Sequence, residues 1–413
     1  MPHQLLVNST PPSPNVVTPE IIPPAKMFIT AVASTSVHLT PLEKWIAFLA
    51  NSGYYTLCLP VRFDASRGIL QMTENKLIKG ICFFRLIYLA LDNIYLICIA
   101  HKVTREPGDE KEFSDFWMHT GSRMVGCFVS WLVALDMKST VETVNAMIET
   151  RRCWRRKFGI WSEEFQGPLE LLIRRSYMIA ILFVPFQSIL PLILHFQARH
   201  SSRYWGAELL PRALYDSPPG IVLAGINDFV LSQATINTSV FGIAVVVSFM
   251  VHIRFWTVSI MNKVAELGLS SKIPLLQYKS LLTLNRLFNS CNGQTIIPAM
   301  VFVGSGFISL MLSVLIKRNR DLPLVALINL MLGCGLCIMA EYLGLEGAGR
   351  MRKRSLDLKR ELKMRPDLYV RKFVDSCQEM RMDVGNYFYV KSGTFVNCMK
   401  WIIDQAITII LTF

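Results

Sequence analysis

The sequence predicts an all-α membrane protein of seven transmembrane helices, with a cytoplasmic N-terminus and the C-terminus at the outer face. Three observations predict it. The 413 residues are 52% hydrophobic and 18% charged, where a soluble chain carries about 25% charge. The apolar residues gather into runs of about 20, the length that crosses a bilayer as a helix. The basic residues alternate between the segments joining those runs.

The first span is placed at 79–100 and the second at 118–137. The third, at 176–196, carries Pro185 and Pro191, which kink helices. The fourth is placed at 229–251, the fifth at 295–316, the sixth at 322–345 and the seventh at 392–413. An odd number of spans puts the termini on opposite sides. The segments after spans two, four and six, the last counted from Arg350 to Arg381, hold 24 Lys and Arg, and the alternate three hold nine. Basic loops stay inside, so the first set is assigned to the cytoplasm. The net charge of +13 then marks the inner side, with anionic membrane lipids as the partner rather than nucleic acid.

This divides the chain into a cytoplasmic region 1–78, spans one to four over 79–251, a helical cytoplasmic loop 252–294, spans five and six over 295–345, a basic cytoplasmic loop 346–391 and the last span. The proline-rich start, residues 1–25, is expected to be disordered and lacks the pattern of a secretory signal. Apolar residues recur through the basic segments 256–290 and 350–383. These are expected to be helices that either extend the spans or lie on the lipid surface. The ten cysteines avoid the outer loops, so no disulfide is expected. Cys334 and Cys337 are read as packing residues. No metal or cofactor is expected, and no His-Glu-x-x-His, P-loop or Gly-x-Ser-x-Gly pattern points to an enzyme.

The final stretch, MKWIIDQAITIILTF, carries charge inside a span. At about 100° per residue, Asn397, Lys400, Asp404, Gln405, Thr408 and Thr412 fall within one arc of about 140°. Trp401 and Leu411 share it. The other arc holds residues such as Ile402, Ile403, Ala406 and Ile407. Asp404 lies roughly 18 Å along the helix from residue 392, near mid-membrane, where a charge costs about 2.5–3.5 kcal/mol. Two readings stand: Lys400 and Asp404 pair locally, four residues apart, or the arc lines a water-filled path. Lys400, Asp404, Thr408, Leu411 and Thr412 are the candidate pore-lining residues. One helix encloses nothing, so a pore would need several subunits around an axis.

Length, seven spans, a cytoplasmic N-terminus and the C-terminal region together resemble the insect gustatory receptors, which share a superfamily with insect odorant receptors. The aromatic run Tyr387-Phe388-Tyr389-Val390 stands where that family has an aromatic pair leading into span seven. Its ending motif, Thr-Tyr-five apolar-Gln-Phe, is matched here by the five-residue core Ile407–Leu411 and by Phe413. The Thr, Tyr and Gln are replaced by Gln405, Ala406 and Thr412. The resemblance implies a plasma-membrane, ligand-gated cation channel of gustatory neurons. It implies a homo- or hetero-tetramer with the last helix around a central pore, gated by a small-molecule tastant. It also implies a short anchor helix near 366–383 and a ligand pocket in the outer half of spans one to six.

Depth alone selects the ligand-binding candidates: Arg123 and Trp131 on span two, Gln187 on span three, Asn227, Asp228 and Gln233 on span four, and Asn329 on span six. Each could equally serve an interhelical hydrogen bond. Arg85 and Asp92 are expected to pair structurally. The sequon at Asn237 lies within a span and is discounted as a glycan site. An odorant-receptor-like subunit is the nearest alternative. A G-protein-coupled receptor would place the N-terminus outside, and a secondary transporter would show internal symmetry that is not visible here.

The arc assignment makes a paired prediction. Asp404→Asn alters cation conductance or selectivity, whereas Ile403→Asn mainly harms folding or assembly. Whole-cell current ratios with surface biotinylation check both.

Overall fold

The computed structural model describes residues 39–105, 110–158, 211–266, 273–318, 320, 324–364 and 367–412, with a few isolated positions between 189 and 210. The expected disordered start and nearly all of the expected third span lie outside them.

The N-terminal region is folded from Leu39 on. Helix α1 (Pro41–Tyr55) begins on a capping box. Thr40 Oγ1 accepts from the Glu43 amide at 3.2 Å, and Glu43 Oε2 accepts from the Thr40 amide at 2.8 Å. The same carboxylate takes Arg151 at 2.7 Å, which ties α1 to a later helix. Strands β1 (Val61–Asp64) and β2 (Ile69–Met72) then form an antiparallel hairpin. Asp64 Oδ1 accepts from the amide and hydroxyl of Ser66, and Gly68 takes the positive φ of the turn. The Ser66 hydroxyl foremost holds the Asp64 carboxyl below the usual carboxylate range.

Helix α2 (Lys76–Arg105) is the first span. Helices α3 (Glu110–Leu135) and α4 (Met137–Phe158) meet at Asp136 with a bend of 68°. The basic segment after span two is thus helix. Its Asn145 clamps the hairpin, accepting from the Leu70 amide and donating to the Leu70 carbonyl, both at 2.8 Å.

After a turn of helix, α5 (Arg212–Tyr215), comes α6 (Pro218–Glu266), 49 residues without a break. At about 1.5 Å per residue it runs roughly 70 Å, more than twice a hydrocarbon core. The boundary expected at 251 therefore ends the apolar run, not the helix. Helix α7 (Ile273–Cys291) makes the next segment helical, as its pattern predicts. One turn (Ile296–Pro298) and a π-helical stretch (Ala299–Gly304) lead into α8 (Ser305–Arg318). Helix α9 (Leu324–Lys363) again outruns its apolar stretch.

The expected anchor helix is shorter than placed. It is α10 (Leu368–Ser376), capped by the Asp367 side chain on the Tyr369 amide at 2.8 Å. The rest of 366–383 gives way to a hairpin of β3 (Asp383–Val384) and β4 (Phe388–Tyr389), so the aromatic run is strand, turned at Gly385 with φ of 56°. The all-α expectation is corrected by these two small hairpins. Helix α11 (Thr394–Thr412) ends the described chain.

Among the described residues, five helices are long and apolar enough to cross a membrane, and the bent pair α3–α4 makes a sixth. The main core lies at the basic end, where α1, both hairpins, α4, α7, α10 and the extensions of α6 and α9 meet. Phe249 stacks on Phe288 at 3.7 Å, and Trp154 meets Trp256 at 5.5 Å. Away from it α2 exposes Phe83, Phe84, Ile87, Leu91, Ile94 and Ile97. So large an apolar face suits lipid as its solvent. Gly349 of α9 lets the chain before α11 come close: a Cβ there would meet the Lys391 carbonyl oxygen at 2.9 Å. All ten cysteines are free thiols, as expected.

Tyr278 of α7 lies in this core, its hydroxyl 3.1 Å from Ser355 Oγ. Burial pushes the phenol up to about 12. Unfolded tyrosine ionises near pH 10. The stability that this phenol supplies is thus full below pH 10 and is lost as pH rises to about 12. Tyr278→Phe flattens that loss, as melting temperatures of the detergent-solubilised protein between pH 9 and 12 will show.

Candidate functional site

Helix α11 presents two different sides. Ile402 and Ala406 are buried, with Met399 and Cys398 partly so, against α8 and α9. Asn397, Lys400, Asp404, Thr408, Leu411 and Thr412 are all exposed on the far side. Every predicted pore-lining residue therefore points away from its own protomer. The threonines satisfy themselves: Thr408 donates to the Asp404 carbonyl and Thr412 to the Thr408 carbonyl, each at 2.8 Å. Among the described residues no ion pair joins Lys400 to Asp404. The local pairing allowed by their spacing is not formed, and both charges are open to whatever fills the space beyond.

The opposite, apolar arc is not uniform. Ile403 on it is 48% exposed, and Val396 and Ile407 are exposed beside it. The residues that hold α11 to its protomer centre on Ile402, which is 0% exposed, and Ala406. The free side is thus half polar and half apolar, as a helix between water and neighbouring protein or lipid would be.

At the junction of α11 with its neighbours, Glu341 of α9 accepts from Ser305 Oγ at 2.9 Å. Ser305 Oγ lies 2.9 Å from Cys398 Sγ of α11. Gly304 leaves room, since a Cβ there would sit 3.1 Å from the carboxylate. None of the three was singled out from sequence. The polar signal was a lone Glu at the end of an apolar run.

The second candidate region is the inward polar set. Arg123 Nη2 reaches Asp228 Oδ1 at 3.3 Å, and His195 Nδ1 lies 3.2 Å from Asp228 Oδ2. All three are buried. Among the described residues Arg123 Nη1, both His195 nitrogens and Asp228 Oδ2 lack a well-directed hydrogen bond. Asp92 lies within electrostatic range of Arg123 and Asp228. Aromatic rings wall the histidine, with Tyr204 at 4.6 Å and Tyr215 at 6.3 Å. Buried polar atoms left unpaired are costly, so such a cluster favours a polar occupant.

Of the predicted ligand residues, Arg123 and Asp228 come together. Asn227 instead accepts from the Tyr88 hydroxyl at 2.6 Å. Trp131 packs edge-on to Phe83 at 6.4 Å, and Gln233 buries an unpartnered Oε1. Gln187 and the Asn329 side chain lie outside what is described. The expected Arg85–Asp92 contact is replaced: Arg85 donates to the Thr56 carbonyl and to Cys58 Sγ. Asn237 is buried and donates to Thr56 Oγ1 at 3.3 Å, in keeping with its dismissal as a glycan site. His195 and Tyr88 were missed because a single histidine or tyrosine carries no periodic signal. Among the described residues no group of three His, Cys, Asp or Glu could hold a metal ion.

No protein-family model matches the chain, and no curated protein matches it in sequence. Solved structures do match. The insect olfactory receptor OR5 of Machilis hrabei, in complex with eugenol, superposes with a TM-score of 0.62 over 90% of this chain and 99% of its own, at 11% identity. A second structure of that receptor gives 0.55 with the same coverage and identity. The chain has the insect olfactory receptor fold.

The two sides of α11 separate by mutation. Ile402→Asn buries an unpartnered amide and lowers the melting temperature of the solubilised protein, at a cost of about 2–5 kcal/mol. Ile403→Asn leaves it nearly unchanged, so of the two harms expected for that substitution, folding or assembly, the structure favours assembly. Equal losses would mean that the helix is rotated from this setting.

Proposed function

We propose that this chain is a subunit of a ligand-gated, non-selective cation channel of gustatory type, sensing a small-molecule tastant at the plasma membrane. The observation that carries the proposal is the row Asn397, Lys400, Asp404, Thr408 and Thr412, exposed on one side of a span and turned away from the protomer. Charges in a span need water or partners, and a ring of subunits supplies both. A ring of Asp404 carboxylates would favour cations. In this reading four chains, identical or related, surround the pore. The N-terminus and the basic core are cytoplasmic, by the distribution of Lys and Arg. The tastant enters the pocket around Arg123, Asp228 and His195 and completes their unmade hydrogen bonds. The chain conducts and does not catalyse.

A second reading, an odorant-receptor-like subunit, is favoured by the fold shared with OR5 and differs in ligand rather than in mechanism.

The test is whole-cell current from cells expressing this chain, alone and with odorant-receptor subunits, across tastants and odorants. A ligand-evoked cation current is expected. Asp228→Asn shifts its half-maximal concentration about ten-fold or more, since it cuts a hydrogen bond to a charged group. No current in any combination, with the chain at the surface, refutes the channel. Tastant or odorant responses decide between the two readings.

A further inference from the structure

Apart from the exposed face of α11 and the buried cluster, one group of arginines stands out. It lies where two long helices leave their apolar runs. On α6 the run ends at Val251, and Arg254 follows within one turn. On α9 it ends at Leu345, and Arg350 and Arg354 follow one turn apart, on one face. The two helices pack through Met250, Leu345, Ala348 and Met351. Packing brings Arg254 within electrostatic range of both Arg350 and Arg354.

Like charges at this spacing repel. The nearby acid is Glu346, and Arg350 already holds it at 2.7 Å. The next, Asp357, is taken by Arg360 at 3.8 Å. Arg254 is half-buried, yet makes no hydrogen bond or ion pair among the described residues. Arg354 makes none either. Glu346 lies in electrostatic range of Arg254, yet Arg350 holds it. The half-buried Arg254 fork and the exposed Arg354 fork thus stand near each other without a carboxylate among the described residues, and an external anion could engage both.

We propose that Arg254, Arg350 and Arg354 form a binding site for the phosphate headgroup of an anionic phospholipid, between α6 and α9 at the membrane edge. Guanidinium forks match phosphate oxygens in pairs. The position at the end of both apolar runs is the depth of lipid headgroups. The site also touches the pore helix. Tyr342 lies in electrostatic range of Arg254 and Arg350, and its ring meets Phe395 of α11 edge-on at 5.1 Å. Headgroup occupancy is thus one side chain removed from α11. Other basic residues on α9 differ, since Arg352 is paired with Glu379 at 2.8 Å and Arg360 with Asp357 at 3.8 Å.

The test uses the full-length protein in nanodiscs of phosphatidylcholine, with and without 5% of a phosphoinositide bisphosphate. Retained lipid is read by mass spectrometry and affinity by titration. Binding does not require channel activity, so the result is independent of the function proposed above. Arg254→Gln with Arg354→Gln is expected to weaken binding roughly twenty-fold, at about five-fold per basic residue near the surface. Lys353→Gln with Arg360→Gln removes the same net charge nearby and is expected to leave binding within about two-fold. Equal loss in both pairs would reduce the site to diffuse surface charge and overturn the proposal. So would binding that ignores the anionic lipid. Soluble inositol trisphosphate is the third arm. Binding as tight as the lipid's would mean that a free phosphate compound, not the membrane, fills the site.

Discussion

Hydrocarbon offers no hydrogen bonds, and this single fact orders the molecule. Every backbone group within the bilayer must be satisfied along its own helix, so the spans are helices before any packing begins. Lipid is as apolar as leucine, so burying leucine between spans gains little. The folding energy must come from elsewhere. It comes from the basic end, where water returns and apolar surface is again worth covering. There α6 and α9 continue as solvated helices, and α1, α4, α7, α10 and the two hairpins close around them. The spans rise from this packed base with apolar faces left open.

The same constraint explains the two polar regions. A carboxylate in a span must meet another group or water. Asp228 meets Arg123 and His195 inside the protomer, and its environment is closed. The Asp404 carboxylate meets no partner among the described residues, and its environment is open. One arrangement stores unmade hydrogen bonds in a walled site. The other leaves charge on an outer face.

Much of this was legible in the sequence. Apolar runs marked α2, α6, α8, α9 and α11, the five helices long and apolar enough to cross a membrane among the described residues, and the helical pattern in 256–290 and 350–383 marked helices of the core. The 100° repeat placed Lys400, Asp404, Thr408 and Thr412 together, because angular position depends on nothing beyond the helix itself. Helix ends were not legible. Hydropathy records where lipid stops, whereas α6 and α9 continue because they pack. The hairpins were missed because four-residue strands such as Val61–Asp64 are too short for a period to emerge. Ile402 and Ile403 were not told apart for a related reason. A polar arc shows where water or charge goes, but the apolar remainder divides between neighbour helix and lipid, and only the packing of Ile402 on α8 decides between them. The Arg123–Asp228 pair was glimpsed from depth, but its histidine lies more than thirty positions away from either.

Helix α6 carries both the acid of the walled cluster and, 26 residues on, the arginine at the far membrane edge. Its ladder is unbroken between them. Among the described residues no proline follows Pro219 within it, so the stretch lacks the usual cause of a sharp kink. Asp228 and Arg254 are the two ends of one stiff rod, roughly 39 Å apart. A stiff rod cannot absorb a disturbance locally. A tilt of about 5° at the Asp228 end becomes a swing of roughly 3 Å at Arg254. Mechanically, the helix is a lever that converts a small rearrangement among buried side chains into a displacement comparable to the width of a headgroup contact.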